Sequence, residues 1–517
     1  MNPYDGLTSY YGDLHNHCGI SYGHGDLEDA LLNAREQLDF CSITGHALWP
    51  DMPEPDANIQ YIIDFHEAGF ARLARGWEDV QSTMAAHHRD GDFVTFLSFE
   101  MHSCADGDRT ILYKGDHGPL LAATGLDDLH EQLRALAERG VDAIAFPHHI
   151  GYKRGQRGIN WATFDPDYAP IVEIISMHGC SESDYCPRPF LHSMGPSDHA
   201  STWQYGLSQG HVAGVVGSTD HHSGHPGSYG HGRTGVWATD KTRDAIWEAL
   251  GARRTYALTG DRIRLGFTLN DVPMGSVLPA TDCRELAFDV VAGAPIDGVD
   301  VIKNGALLRR FSPGAQPPQT VSDPVHTKLT LEVGWGAKGR RADWDVRFGI
   351  SGGRLLDIEP RFRGAEVVAP QEAVDGTPPP AHASHWEPDG DRAVWFRTIT
   401  YGNPNNRTPS TQAMCLEVEM PADGEVWAEL NGQRIVHKLS TLKAGARAGR
   451  LAKIDSPSYL FHRAPAWSEL HWTGRLMDEV TIPDHASPTT RDYYYVRVRQ
   501  TNDEWAWSSP IWVATTP

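Results

Sequence analysis

The chain has 517 residues, too many for one ordinary hydrophobic core, so two or three domains are expected. Its 45 basic against 67 acidic side chains leave a formal net charge of −22, which argues against a nucleic-acid partner and for a soluble acidic enzyme. No apolar run approaches the ~20 residues of a membrane span. Nor does a basic and apolar leader precede the first Lys or Arg, Arg35, and the seven cysteines form no CxxC pair, so no signal peptide and a reducing, cytoplasmic setting are expected.

Taken in order, the first informative stretch is Asp13-Leu14-His15-Asn16-His17, read as the tip of a strand. A helix start follows at Asp26, an N-cap candidate with early acids. The run Phe40-Cys41-Ser42-Ile43-Thr44-Gly45 leads to His46, and Phe93 to Phe99 leads to Glu100 and His102. Asp128 to Arg139 has leucines at helical spacing and stops at Gly140. Val141 to Phe146 then leads through Pro147 to His148 and His149. Ile171 to Ile175 leads to His178, and Val212 to Val216 leads to Asp220, His221 and His222. Thr242 to Leu250 reads as a further helix.

Buried parallel strands are nearly continuous apolar runs, and in α/β barrels chemistry collects at their C-terminal ends. The recurring strand-then-ligand pattern therefore predicts one metal-binding mouth. Twenty of the 27 histidines lie at or before His231. A packing or surface role is the ordinary case for any one histidine, and it is the clustering with Asp and Glu that points to Zn, Mn or Fe. Cys18, Cys104 and Cys180 lie near these segments and read as small buried neighbours.

Near residue 265 the pattern changes. Leu265–Leu269, Leu286–Val291, Val299–Ile302 and Tyr493–Val498 read as short strands, and Pro313–Pro324 and Pro370–Ala383 as proline-rich connectors. The expected organisation is a domain of alternating β and α, a parallel sheet or barrel, over residues 1–265 and antiparallel β modules over 266–517.

The i, i+2 spacing in an extended strand places His15 and His17 on one side, and likewise Asp220 and His222. Glu100 can bridge two ions because a carboxylate has two oxygens. His148 or His149 can complete the second ion, and His24 with His46 can hold a third.

The segments DLHNHCGIS (13–21), TGH (44–46), FE (99–100), PHH (147–149) and STDHH (218–222) resemble the polymerase and histidinol phosphatase (PHP) superfamily. RRTYALTGDR (253–262) is similar to a signature of its larger members with a β-rich C-terminal half. The resemblance implies a distorted (β/α)7-type barrel with two or three divalent ions. It implies His15, His17, Glu100 and Asp220 at one ion, Glu100 with His148 at the second, and His46 with His222 at the third. The chain departs from the family pattern at Tyr22, where an aspartate is usual and His24 follows two residues later. It departs also at Gly45, and after Glu100, where His102 or Asp108 stands for the usual next histidine.

The chemistry expected is hydrolysis of a small-molecule phosphate ester by a metal-bridging hydroxide. Lys153, Arg154, Arg157 and Arg233 are candidates to steady the developing charge, and His149, His178 and His221 to protonate the leaving group. A carboxylic ester, lactone or amide is the alternative substrate class, and a non-catalytic binding protein the third reading. Oligomeric state is left open.

Overall fold

The computed structural model describes residues 3–190, 194–314, 323–364, 380–402, 409–480 and 491–515. The first half contributes β1 (Thr8–Asp13), β2 (Phe40–Ser42), β3 (Gly45–Leu48), β4 (Val94–Met101), β5 (Arg109–Tyr113) and β6 (Ala143–Pro147). It continues with β7 (Ile171–Ser176), β8 (Gly179–Cys180), β9 (Gly214–Gly217), β10 (Arg233–Ala238) and β11 (Thr255–Leu258). Its α-helices are α1 (Leu27–Arg35), α2 (Gln60–His87), α3 (Leu126–Ala137), α4 (Trp203–Ser208) and α5 (Arg243–Gly251).

Local signals account for most of these helices. Acids occupy the first turn of α1 after Asp26. Thr242 caps α5 by accepting from the Ala245 N–H. α3 turns Leu126, Leu129, Leu133 and Leu136 inward and ends before Gly140, whose φ of +78° only glycine adopts freely. The longest helix, α2, was not anticipated. It buries Ile63, His66, Gly69, Leu73, Trp77, Val80 and Met84. The spacing is helical throughout, but a histidine and a glycine fill two places in the stripe and mask its apolar character. No helix among the described residues is long and apolar enough to cross a membrane.

The architecture is mixed α/β and rich in strands. β1, β2 and β4 are parallel neighbours, and β7 pairs in parallel with β9. The expected ring of alternating β and α is not what the ladders draw. β4, β5 and β6 are antiparallel, and β10 runs antiparallel to both β1 and β11. Among the described residues no ladder joins β6 to β7. The short connection from β4 to β5 explains part of this, since a hairpin needs only a few residues and a parallel return needs a dozen or more.

Beyond residue 264 strands dominate. Arg264–Leu269, Cys283–Val291 and His471–Glu479 are successive antiparallel neighbours. Two five-stranded sheets follow, one centred on Val325–Gly334 and one on Arg341–Ser351. Leu329, Leu331 and Val333 of the first pack with Trp344, Val346 and Phe348 of the second, giving a sandwich with its own core. Most of the two proline-rich connectors, at 315–322 and 370–379, lies outside the described residues.

The end of the chain then returns. Trp505–Ser508 pairs antiparallel with β11, joining Tyr256 to Ser508 and Leu258 to Ala506. Trp507 and Trp512 share one core with Trp161, Trp203 and Ala257, and the Trp507 Nε1–H donates to Glu182 Oε2 at 2.9 Å. Trp507→Ala should therefore cost about 3–5 kcal/mol, the range for truncating a buried large aromatic. Chemical unfolding monitored by circular dichroism measures this, and a loss below about 1 kcal/mol would exclude Trp507 from the core.

Candidate metal centre

The loops after β1 and β9 carry the central ligands, and backbone hydrogen bonds lock the two together. The Asp220 N–H donates to His15 O at 2.8 Å and the His17 N–H to His221 O at 2.7 Å. The Gly224 N–H donates to His17 O at 3.1 Å and the His24 N–H to His222 O at 2.7 Å. Asp13, fully buried at the end of β1, accepts from the backbone N–H groups of His15, Thr219 and Gly227 and from the Thr219 hydroxyl. His15 and His17 thus sit just past the strand and not within it, and the loop brings them together.

Their Nε2 atoms are 3.2 Å apart. Asp220 Oδ1 lies 3.4 Å from His15 Nε2 and 3.1 Å from His17 Nε2, and Glu100 Oε2 lies 3.4 and 3.3 Å from the same two atoms. A tetrahedral site with ligands at about 2.0–2.1 Å has edges of about 3.3 Å. The five distances among these four atoms match that cage. Among the described residues Glu100 Oε2 is buried with no hydrogen-bond partner, as is His148 Nε2. Buried polar atoms rarely go unsatisfied, so both fit a bound cation.

The other oxygen of Glu100 faces a second group. Oε1 is 3.0 Å from His102 Nδ1 and 3.3 Å from His148 Nε2. Glu100, Asp108, His148 and His149 bring one ligand atom each within 4.8 Å of one another. A third set at the same spacing joins His17, His46 and His222.

The imidazoles are oriented from behind. His15 Nδ1 donates to Glu173 Oε2 at 2.8 Å, and His17 Nδ1 to Thr44 O at 2.5 Å. His46 Nδ1 pairs with Ser21 Oγ at 2.9 Å, His148 Nδ1 with Thr110 Oγ1 at 3.1 Å, and His222 Nδ1 with Asp220 O at 2.9 Å. Each bond fixes the ring and leaves Nε2 to face inward. Burial pushes His148 down to about 4 and His222 to about 3, which keeps both rings neutral as ligation requires. Burial raises the Glu100 carboxyl, but His46, His148 and His102 around it hold it well below the usual carboxylate range.

A cavity of about 350 Å³ opens onto these groups, walled by Tyr22, Phe65, His66, Arg157, His178 and Met194 among others. Asp220, His149 and His178 line it, and His178 is held by Asp220 Oδ2 at 2.7 Å and the Tyr152 hydroxyl at 2.7 Å. Several expected residues sit elsewhere. His24 is exposed on the rim and joins none of the ligand groups, because its backbone follows His222 and His46 packs against Tyr22 instead. Lys153 and Arg154 are exposed and outside the lining. Arg157 takes the position expected of them, its Nε donating to Asp108 Oδ2 at 2.5 Å. Arg233 is buried on Gly227 O and Gln37 Oε1. His221 faces the sandwich, where a side chain at Gly364 would meet its Nε2 at 2.4 Å.

Sequence reasoning missed Glu173, Asp13 and His66. Glu173 had a signal, since a lone carboxylate inside the apolar run Ile171–Ile175 needs a buried partner. His66 lies on the helix that was itself missed.

A family described as "Protein of unknown function (DUF3604)" matches residues 228–272. An uncharacterized protein of Chlamydia pneumoniae is 28% identical over 257 residues, 46% of this chain and 41% of its own. One from Chlamydia trachomatis is 31% identical over 189 residues, 33% of this chain and 30% of its own. The matched segments thus span less than half the length of these relatives. A two-domain protein of Bacteroides vulgatus containing a predicted PHP-like metal-dependent phosphoesterase is similar at 12% identity. Its TM-score is 0.30, with 84% of this chain and 96% of that chain covered.

Two outcomes are expected. Glu100→Gln should lose bound metal while the fold persists, since an amide cannot offer two anionic oxygens. Glu173→Gln should weaken metal affinity by about 10–100-fold. Elemental analysis after equilibration, with circular dichroism as the control for folding, checks both. Wild-type metal content in Glu100→Gln would remove that residue from the centre.

Proposed function

We propose that the chain is a metal-dependent hydrolase of two or three divalent ions acting on a small phosphate ester. The observation that carries this reading is the division of Glu100 between two sets of inward-facing donors, Oε2 toward His15 and His17 and Oε1 toward His148. His15, His17, Asp220 and Glu100 would hold one ion. Glu100, Asp108 and His148 would hold a second, and His46 and His222, beside His17, a third. This mixed imidazole and carboxylate set suits Mn, Zn or Fe. Divalent ions bound there supply Lewis acidity and make water acidic at neutral pH.

The chain's own residues then divide the remaining work. Arg157 places a guanidinium on the cavity wall, anchored by Asp108, where it can bind an anionic substrate oxygen. His178 is committed to Asp220 and Tyr152, so it orients Asp220. His149 also lines the cavity, its Nε2 3.4 Å from Asp108 Oδ2, and is the candidate to exchange a proton with the leaving oxygen. Tyr22 and Phe65 give the substrate an apolar wall.

A panel of phosphate and carboxylate esters, assayed with Mn, Zn and Fe, tests the reading. Arg157→Ala should lower the phosphodiester rate by about 10²–10³, with metal content measured in parallel because Asp108 loses its partner. Activity confined to carboxylate esters, or an unchanged phosphodiester rate in Arg157→Ala, would instead favour hydrolysis at carbon.

A further inference from the structure

A separate group of ligand-type side chains lies on the seam between α1 and the sandwich. Glu36 is the C-cap residue of α1. Its Oε1 is 3.1 Å from His382 Nε2 and 2.8 Å from His385 Nδ1, and the three atoms fall within 4.8 Å of one another. Two histidines from the far half of the chain thus converge on one carboxylate oxygen. Behind His385, the other ring nitrogen Nε2 lies 3.3 Å from Glu387 Oε1. A carboxylate behind an imidazole is the pairing that fixes a metal-ligating histidine. The second oxygen of Glu36 accepts from the Trp386 N–H at 3.3 Å, so the carboxylate is held in orientation. The C-terminal end of α1 also favours positive charge.

We propose that Glu36, His382 and His385 form a site for one zinc-class divalent ion that fastens the sandwich to α1. Two imidazoles and a carboxylate suit zinc and are too soft a set for calcium or magnesium. The side chains are partly exposed, which leaves a fourth position for water. The site would brace the main centre as well. Asn33 of α1 donates to Ala381 O at 2.9 Å and to Gly224 O at 2.8 Å, and Gly224 follows His222 in its loop. None of this depends on the hydrolase reading.

The test uses the full-length chain and reads metal and stability. Wild type and His382→Gln/His385→Gln are equilibrated with excess Zn²⁺, separated from free ion and analysed for zinc. The comparison is repeated in a Glu100→Gln background to remove the contribution of the main centre. The double variant should hold one zinc fewer per chain in both backgrounds, and Zn²⁺ should raise Tm less than it does with the site intact. Equal zinc and an equal rise in Tm would overturn the proposal and leave a hydrogen-bonded clasp. If the double variant does not fold, Glu36→Gln, which keeps size and shape, is judged by the same zinc count.

Discussion

Burying an ionised carboxylate is among the costliest things a fold can do, and Glu100 is 2% exposed. Among the described residues one of its oxygens, Oε2, has only imidazole nitrogens at 3.3–3.6 Å around it and no well-formed hydrogen bond. That charge is tolerable only if groups able to hold a cation or donate to it are gathered around it, and the surrounding architecture gathers them. Imidazoles reach it from the loops after β1 and β6, from β3, and from His102 just beyond Glu100's own strand. Hydrogen bonds at the far ring nitrogens of His15, His17, His46 and His148 hold four of these rings in place.

Asp13 plays the complementary part. It is buried as deeply, and burial raises its carboxyl, but four donors surround it. By holding Thr219 and Gly227 it sets the start of the loop that delivers Asp220 and His222. Asp220 itself sits at φ +54° and His149 at φ +32°, conformations that non-glycine residues seldom adopt. Strain of this kind gathers where side chains must be aimed against the preference of the backbone.

Much of the centre could be read from the sequence because its ligands follow apolar runs, and apolar runs are the strongest local signal a strand gives. Glu100, His148, Asp220 and His222 each follow such a run, His15 and His17 stand out by their spacing, and the structure brings all six together. Pairing direction was less accessible. Nothing in Arg109–Tyr113 announces that it turns back on β4, and so an antiparallel hairpin stands where alternation of β and α was expected. Proximity in sequence marks Lys153, Arg154 and Arg157 alike, whereas the loop after β6 exposes the first two and turns Arg157 toward the cavity. The supporting residues Glu173 and Thr44 act through contacts that sequence spacing does not encode. His66 was hidden because a histidine inside an apolar stripe weakens the pattern that reveals the helix.

The pairing of β11 with Trp505–Ser508 also orders events in time. During synthesis β11 emerges roughly 250 residues before its partner strand, so its edge has no native neighbour while most of the second half is made. An unpaired edge invites pairing with other chains. Ladders between residues so far apart in sequence also form slowly. The sandwich has a core of its own and can form in the interval, whereas the sheet that bears the candidate ligands is completed last. Holding that edge safe until the chain returns is a kinetic burden that the finished structure no longer displays.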